Sequence, residues 1–313
     1  MRTILGTGAI GDLVRRVQQN LTSAGFDTNG LDGRFGQGTA SALKQFQAAK
    51  GLAVTGVVDD LTWTPLMQEP LPRTTARSLQ LTASFEGHGF GLAVGNFDGA
   101  LLTWGIIGFT LASNEIQEIV LAVNQAHPEL VRQAFQSDTD ELLGLMAAPR
   151  EFQKNWADEH TVNGHALAEP WKSMFAVFGS FPEVQAEQLQ HVQKDYFGPA
   201  VRTARGLNFA SELGLALCFD VQVQNGGVRD TAMQQIQQQS KPGMAEAGRR
   251  VIVANAVADS ANPSWADNVR RRKLTVATGQ GTVNGYGYVL ENWGLSGTIQ
   301  ASELVNSATL GET

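Results

Sequence analysis

The amino-acid sequence predicts a mainly helical protein, in which a small three-helix module precedes a larger, mostly helical domain. Three observations support this fold class. Apolar residues recur at helical spacing along most of the chain, the proline- and threonine-containing segment 69–77 lacks that spacing, and the glycine-rich stretch 90–110 favours a small β-hairpin sheet beside a cleft. We therefore expect a module at 1–68, a linker at 69–77 and a second domain at 78–313.

Two segments of the module place their apolar residues on one helical face. The face of segment 11–21 carries Leu13, Val14, Val17 and Leu21, and that of segment 39–51 carries Leu43, Phe46 and Ala49. Gly51 is expected to end the second helix, because glycine readily adopts the left-handed conformation that closes helices.

A short repeat also lies in the module, as GRFGQGT from Gly33 to Thr39 and GVVDDLT from Gly56 to Thr62. Each copy places a glycine six positions before a threonine. The pattern predicts a glycine turn followed by a threonine that caps a helix.

The segments VQQNL, LDGRFGQGTASALKQFQ, GLAVTGVV and LTWTPL together resemble the peptidoglycan-binding type 1 module from Leu13 to Leu66. The resemblance implies binding to the peptidoglycan of bacterial cell walls. Within it, we interpret Asp32, Gly33, Phe35 and Gly36 as turn and core residues rather than ligand contacts.

The second domain contains further segments with helical spacing. They are 116–123, the segment after Pro128, 195–207, 209–227, 243–261 and 265–279. The segment 209–227 is almost entirely apolar, which predicts a central buried helix. It includes the single cysteine, Cys218, which we expect to be a buried structural thiol because no neighbouring charge would activate it.

Two isolated carboxylates, Glu86 and Asp98, stand in an apolar, glycine-rich stretch. Asp98-Gly99 is typical of a hairpin turn. Glu86 and Asp98 are therefore both open to interpretation as surface charges. They also fit an acid and a base. A carboxyl at the end of a buried helix is desolvated and stays protonated, whereas a solvated one stays ionised. Hydrolysis of a glycosidic bond needs such a pair, and the Thr103 hydroxyl would help to hold the attacking water.

The segments SFE, DGALLTWGIIGFT, YFGPAVRTARGL, LGLALCFDVQVQNGG and, more faintly, RRRKL resemble the family 46 chitosanases of the lysozyme-like superfamily. The resemblance extends from Ser78 to about Gly294 and implies a lysozyme-like α+β domain with an inverting mechanism. It places Glu86 at the general acid, Asp98 at the general base and Thr103 at the threonine that positions the water.

The same resemblance implies supporting roles. Glu115 occupies the position of a carboxylate that contacts a sugar amine, and Asp220 and Arg249 match a buried charge network that supports the acid. Trp265 lies near the place of another network arginine. The cluster at 270–273 is interpreted as pairing with Asp220, as solvated or as contacting an anionic ligand.

Some departures concern the substrate. Twelve positions separate Glu86 from Asp98, fewer than in the chitosanases, and Ala100 replaces the arginine usual after the Asp-Gly pair. These changes argue against chitosan as the substrate more than they argue against hydrolysis of a glycosidic bond.

Neither a metal nor another cofactor is predicted. Asp158, Glu159, His160 and His165 lie close in sequence but fit no helical zinc motif, so we expect a solvated loop. Core packing is expected for Trp104, Trp156, Trp171 and Trp293, with sugar stacking as the alternative.

The leading hypothesis is a peptidoglycan-degrading glycoside hydrolase, a lysozyme-like muramidase anchored by its wall-binding module. A chitosanase with such a module and a non-catalytic wall-binding protein are the alternatives. The formal net charge of −7 argues against nucleic acid and favours cationic polymers. No stretch is long enough to span a membrane, and no cleavable signal peptide is recognised. We therefore expect a phage endolysin or an exported antibacterial effector, with an immunity protein or export machinery as possible partners.

Overall fold

The computed structural model describes residues 1–87 and 89–305, which fold into two compact units. One unit joins Met1–Phe85 to the chain from Tyr196 onward, and the other is Glu86–Asp195. The fold is mainly helical, as predicted. Within the described ranges, every helix is too short or too polar to cross a membrane.

The elements alternate between helices and short strands. The helices are α1 (Asp12–Ser23), α2 (Gln37–Ala49), α3 (Asp60–Met67), α4 (Thr74–Glu86), α5 (Glu115–Ala126), α6 (Pro128–Phe135), α7 (Thr139–Ala147), α8 (Arg150–Glu159), α9 (Trp171–Phe178), α10 (Pro182–Val192), α11 (Gly198–Gly206), α12 (Glu212–Asn225), α13 (Asp230–Gln239), α14 (Glu246–Asp259), α15 (Ala266–Thr278) and α16 (Ser302–Val305). The strands are β1 (Thr3–Leu5), β2 (Val58–Asp59), β3 (Ala93–Val94), β4 (Thr103–Trp104), β5 (Phe109–Thr110), β6 (Thr161–Val162), β7 (Ala166–Leu167), β8 (Gln280–Val283) and β9 (Tyr286–Val289).

The three predicted helices of the N-terminal module are present as α1, α2 and α3, and β1 pairs antiparallel with β2. The apolar residues predicted on the inner faces of α1 and α2 are buried, with one exception. Ala49 is exposed because α2 ends at this residue, and Gly51 follows with φ +68°.

A buried glutamine organises each copy of the repeat. Gln18 accepts the Gly33 N–H (2.9 Å) and donates to the Thr39 hydroxyl (3.0 Å). In the second copy, Gln47 accepts the Gly56 N–H (2.9 Å) and donates to the Thr62 hydroxyl (3.1 Å). Each threonine hydroxyl therefore accepts a hydrogen bond from a buried glutamine amide. The prediction that the two threonines cap helices is wrong.

The caps lie elsewhere in the module. Asp59 caps α3 by accepting the N–H groups of Leu61 and Thr62, and Gly36 stands at the N-terminus of α2. Phe35 is buried and Gly33 has φ +69°, as expected of core and turn residues. Asp32 and Gly36 are exposed, and the expectation that they do not contact a ligand stays a prediction.

Replacing Gln47 by leucine is expected to lower the free energy of unfolding by about 3 kcal/mol, because it leaves buried hydrogen-bonding groups without partners. Urea denaturation measures the change. Gln45→Leu on the exposed side of the same helix is the matched control and should change stability by less than about 0.5 kcal/mol. Equal effects of the two variants would contradict the role assigned to Gln47.

The predicted linker is shorter than expected. Thr74–Arg77 form the first turn of α4, and the side chains of Thr74 and Arg77 are buried. The indole N–H of Trp63 also donates to the Pro70 carbonyl (3.0 Å). The segment between α3 and α4 is therefore tied to the module.

The N-terminal residues pack against distant parts of the same unit. Gly6 donates its N–H to the Asn292 carbonyl (2.9 Å), and the N–H of Leu13 donates to Gln80 (3.1 Å). The buried carboxylate of Glu212 pairs with Arg2 and with Arg77, the latter at 2.6 Å. The module and the C-terminal helices are thus parts of one compact unit.

The predicted helices after residue 195 are confirmed as α11, α12, α14 and α15. Every residue from Glu212 to Val221 is buried, so α12 is the expected central helix. Burial raises the pKa of the Cys218 thiol, as expected for a structural cysteine. The hairpin β8–β9 was not predicted, although its Asn284-Gly285 turn is typical of hairpins.

The unit Glu86–Asp195 contains an antiparallel sheet with the strand order β5-β4-β3-β7-β6. The expected hairpin sheet is therefore present and larger than predicted. Helices α5 and α6 confirm the prediction for 116–123 and the segment after Pro128. Trp104 stacks on Phe178 (5.4 Å between ring centroids), in an aromatic core that also contains Phe135 and Phe175.

Candidate active site

Glu86 is the last residue of α4 and is partly buried. The preceding residue, Phe85, holds the end of the helix: its ring lies 4.8 Å from the ring of Tyr288 and 4.9 Å from the guanidinium of Arg272. A carboxyl group at a helix end that is anchored in this way has the partial burial expected of a general acid.

Asp98 lies on the connection 95–102 between β3 and β4 rather than in a two-residue hairpin turn. Its side chain is exposed, and one carboxylate oxygen accepts the N–H of Ala100 (3.0 Å). Gly99 at the next position has φ +88°, a conformation that favours glycine. The loop therefore presents Asp98 to solvent, as expected of the second carboxylate.

Asn96 fixes the conformation of this loop. Its side-chain oxygen accepts the N–H groups of Gly99 and Leu101 (both 3.2 Å), and its amide donates to Asp158 (2.6 Å). The backbone N–H of Asn96 donates to the Thr161 hydroxyl (2.7 Å). Because both ends of the Asn96 side chain are engaged, the position of Asp98 is set by a polar network.

Thr103 begins β4 and is almost fully buried. It pairs with Val94 on one side and with Thr110 on the other. Gly105 follows β4 with φ +92°, and a Cβ atom there would lie 2.7 Å from the amide oxygen of Gln188. Gln188 also accepts the N–H of Ile106 (2.9 Å), so helix α10 fixes the turn next to Thr103.

The carboxylate of Glu115 is engaged by its own surroundings. It accepts the N–H of Thr110 (3.0 Å) and the hydroxyl of Ser113 (2.5 Å), and its second oxygen lies 3.7 Å from Nε2 of His191. The substrate contact implied for Glu115 stays a prediction. In this structure, the carboxylate stabilises the strand that pairs with Thr103.

His191 is buried among three carboxylates. Besides Glu115 at Nε2, Asp195 (3.4 Å) and Glu118 (3.7 Å) lie near Nδ1. Glu115 is the main cause of the raised pKa of His191, with Asp195 and Glu118 contributing against the opposing effect of burial. The protonated imidazole therefore balances part of the negative charge of this cluster.

The same cluster is the group of described residues best placed to hold a metal ion. The ligand atoms of Glu118, His191 and Asp195 lie within 4.8 Å of one another. A metal ion would have to displace the proton that the surrounding carboxylates favour on the ring, so metal affinity at this cluster would fall as pH is lowered.

The raised pKa of His191 predicts a pH-dependent stability. Its contribution is fully present below the ordinary value of 6.5 and is lost as pH rises through the raised value. Compared with His191→Gln, the wild-type protein should lose its advantage in melting temperature as pH rises from below 6.5 through the raised pKa. The exposed His165→Gln is the control, and a pH-independent difference for His191→Gln would contradict the prediction.

Asp220 forms the centre of a buried ion-pair network on α12. Arg272 donates to both carboxylate oxygens (2.7–3.1 Å), Lys273 donates to one of them (2.6 Å), and the Thr82 hydroxyl donates at 3.1 Å. Burial raises the pKa of Asp220, but the two cations outweigh it and hold the pKa well below its ordinary value. Thr82 precedes Glu86 by one helical turn, so the network stabilises the last turn of α4.

Arg249 does not contact Asp220, which corrects its assignment to this network. Its guanidinium donates to the carbonyls of Met244 and Asn208, the latter at 2.9 Å. Arg272 and Lys273 occupy the position next to Asp220, which confirms one of the interpretations of the cluster at 270–273.

The other candidates have structural surroundings. Asp158 and Glu159 lie in helix α8 rather than in a loop, and His160 stacks on Trp156 (4.3 Å between ring centroids). His165 lies on the turn between β6 and β7. Core packing is confirmed for the four tryptophans considered for sugar stacking, since Trp104, Trp156, Trp171 and Trp293 are all buried.

Sequence reasoning missed three supporting residues. Gln188 had no local signal, because its partner Ile106 is distant in sequence. Asn96 had one, since an asparagine shortly before a glycine is typical of a turn, and its side chain accepts the nearby N–H groups of Gly99 and Leu101. His191 could have been noticed from its position among acidic residues, but Glu115 and Glu118 come from another helix.

Two family models match the chain. The peptidoglycan binding domain matches residues 10–66, and glycosyl hydrolase family 46 matches residues 88–251, just over half of the 313 residues. No curated protein sequence matches the chain.

Chitosanases are among the solved structures that share this fold. A mutant chitosanase from Bacillus subtilis MY002, complexed with 6 GlcN, is 18% identical over 69% of this chain and 98% of its own, with a TM-score of 0.51. The native chitosanase of that strain is 19% identical over 68% and 96%, also with a TM-score of 0.51. The Burkholderia AP3 phage endolysin is a more distant match, 18% identical over 69% and 97%, with a TM-score of 0.20.

At 18–19% identity, the likeness to the chitosanases shows the fold alone. The family match covers the sheet, α5 and most of the helices that follow. The chain therefore belongs to glycosyl hydrolase family 46 and carries an N-terminal peptidoglycan binding domain.

Proposed function

We propose that this glycoside hydrolase degrades peptidoglycan as a lysozyme-like muramidase, cleaving the β-1,4 bonds of the cell-wall glycan. The observation that carries the proposal is the peptidoglycan binding domain in the same chain as the hydrolase domain. Contacts such as the pair of Arg2 and Glu212 join this module to the C-terminal helices in one compact unit. A wall-binding module that is built into the enzyme has little use on another polymer.

The proposed reaction is a single displacement that inverts the anomeric carbon. Glu86 gives its proton to the leaving glycosidic oxygen while Asp98 takes a proton from the attacking water. The Thr103 hydroxyl holds that water. The exposure of Asp98 on an ordered loop and the partial burial of Glu86 support this division of roles.

A chitosanase is the second candidate function. Membership of family 46 and the relative from Bacillus subtilis that is complexed with 6 GlcN favour it. The surroundings of Glu115 argue against it, because a carboxylate already bound by an N–H, a hydroxyl and His191 is less available to a sugar amine. The presence of Glu86, Asp98 and Thr103 argues against a non-catalytic wall-binding protein.

We also propose that the protein acts on the bacterial wall after release by phage lysis or by a dedicated secretion route. An immunity protein in the producing cell would then be a natural partner. Expression with and without export to the periplasm tests this: lysis is expected only when the protein reaches the wall. Lysis by protein retained in the cytoplasm of a strain without phage functions would contradict it.

Mass spectrometry of fragments from purified sacculi, with chitosan digested in parallel, tests the activity. Fragments with reducing N-acetylmuramic acid are expected. Reducing N-acetylglucosamine would instead indicate a glucosaminidase, and products from chitosan alone would favour the second candidate. Peptide fragments without glycan cleavage would exclude glycosidase action.

A further inference from the structure

One tryptophan differs from all the others in its exposure. Trp63, Trp104, Trp156, Trp171 and Trp293 are at most 5% exposed, whereas Trp265 is 66% exposed. All six tryptophans of the sequence lie in the described residues. Leaving so large an apolar side chain in water sacrifices the stability that burial would bring. Trp265 therefore needs an explanation other than core packing.

Trp265 lies at the N-terminus of α15, and a second exposed aromatic residue lies on the β8–β9 hairpin that follows this helix. After α15 the chain turns at Gly279 and β8 runs back along the helix. The side chains of Asn268 and Asn284 then form a hydrogen bond of 3.0 Å, which holds the tip of the β8–β9 hairpin against the first turn of α15. Tyr286, the first residue after that tip, is 63% exposed.

Tyr286 lies on the inner face of the hairpin. Tyr286 pairs directly with Val283 and is two residues from Tyr288, so all three side chains lie on one face. Val283 and Tyr288 are buried, which identifies this as the face that packs on the protein. Tyr286 extends the face beyond the core, at the same end of α15 as Trp265.

The surface around the two rings is polar. Asn262, Ser264, Asp267, Asn268 and Asn284 are exposed there. Val289, the other exposed apolar residue of the hairpin, lies on the opposite face of β9. Two rings surrounded by amides offer little of the roughly 800 Å² per partner that a stable protein interface buries. They do match the size of one or two sugar rings.

We propose that Trp265 and Tyr286 form a carbohydrate-binding surface, separate from the peptidoglycan binding domain, for N-acetylated glycan strands. The apolar C–H faces of the sugars stack on the two rings, and the side-chain amides of Asn268 and Asn284 bond the hydroxyl and acetamido groups. The choice of an N-acetylated glycan rests on the proposed function. A second contact with the same polymer increases retention on the wall by local concentration.

Tryptophan fluorescence tests this surface directly, because the other five indoles are buried. Titration with an N-acetylated chitin hexamer and with amidase-released glycan strands is expected to shift the emission of wild-type protein to shorter wavelength. Trp265→Phe should abolish the shift. Its persistence in that variant would overturn the proposal, because the signal would then come from another site.

Affinity measured by calorimetry provides the second readout. Trp265→Ala and Tyr286→Ala are each expected to weaken binding of the glycan strands at least tenfold. Phe152→Ala, which changes an aromatic residue of α8 that is 55% exposed, should have no effect. Binding by both alanine variants within twofold of wild type would overturn the proposal. The proposal would also be overturned if the wild-type protein bound a glucosamine hexamer and did not bind the N-acetylated hexamer. Failure of the protein to cleave sacculi would refute the hydrolytic function but leave these binding results interpretable.

Discussion

Glu86→Gln is expected to slow the hydrolysis of purified sacculi by about 10³-fold. Glutamine keeps the size and polarity of the side chain but has no carboxyl proton to give to the leaving oxygen. Binding to sacculi should be retained, because the peptidoglycan binding domain lies in residues 10–66. The release of new reducing ends measures the rate, and a sedimentation assay with sacculi measures the binding.

Two further variants complete this test. Glu151→Gln changes an exposed carboxylate on α8 and should leave the rate unchanged. Asp98→Asn should give a loss similar to that of Glu86→Gln, while its amide oxygen can still accept the Ala100 N–H and preserve the loop. A Glu86→Gln protein with a rate within tenfold of wild type would remove Glu86 as the acid.

Asp220→Asn is expected to lower the free energy of unfolding by about 3–5 kcal/mol, because it removes the buried carboxylate that both Arg272 and Lys273 bind. Urea denaturation measures the loss. The exposed pair of Asp259 and Arg270 supplies the matched control, and Asp259→Asn should cost less than about 1 kcal/mol. If Asp220→Asn does not fold, adding Lys273→Met should restore folding by removing one of the two buried cations that Asp220 balances.

The depressed pKa of Asp220 also predicts the direction in which stability changes with pH. The pKa of Asp220 is depressed in the folded protein, so its contribution to stability is present above its ordinary value of 3.8 and is lost as pH falls below it. Wild-type protein should therefore lose more stability on acidification than Asp220→Asn. A cost below about 1 kcal/mol for Asp220→Asn at neutral pH would show that the network is not a significant source of stability.

Elements with a strong local pattern were predictable from the sequence. Helix α5 is predicted by the apolar spacing of 116–123, because burial of one helical face requires apolar residues at helical intervals. The central helix α12 is predicted by the nearly continuous apolar run at 209–227, because a helix buried on all sides is apolar on all sides. The carboxylates Glu86 and Asp98 are recognisable for a different reason: each is isolated among apolar residues and glycines. Their catalytic roles stay predictions.

Features that depend on distant partners were not predictable. The repeat suggested that Thr39 and Thr62 cap helices, but Gln18 and Gln47 from preceding helices bind their hydroxyls. Similarly, the sequence contains several arginines that are candidate partners of Asp220. Only the packing of α15 against α12 brings Arg272 to Asp220, while Arg249 binds backbone carbonyls elsewhere. Tertiary contacts of this kind leave no local periodicity to detect.

The salt bridge between Arg2 and Glu212 joins residues that are 210 positions apart, and Arg2 also donates to the Gly294 carbonyl across 292 positions. Contacts of such long range slow folding, because the entropy of closing the loop is lost before the contact forms. During synthesis, the N-terminal strand emerges from the ribosome long before these partners exist. Completion of this unit is therefore a late event in folding, and the wall-binding module and the C-terminal helices should unfold in one cooperative transition.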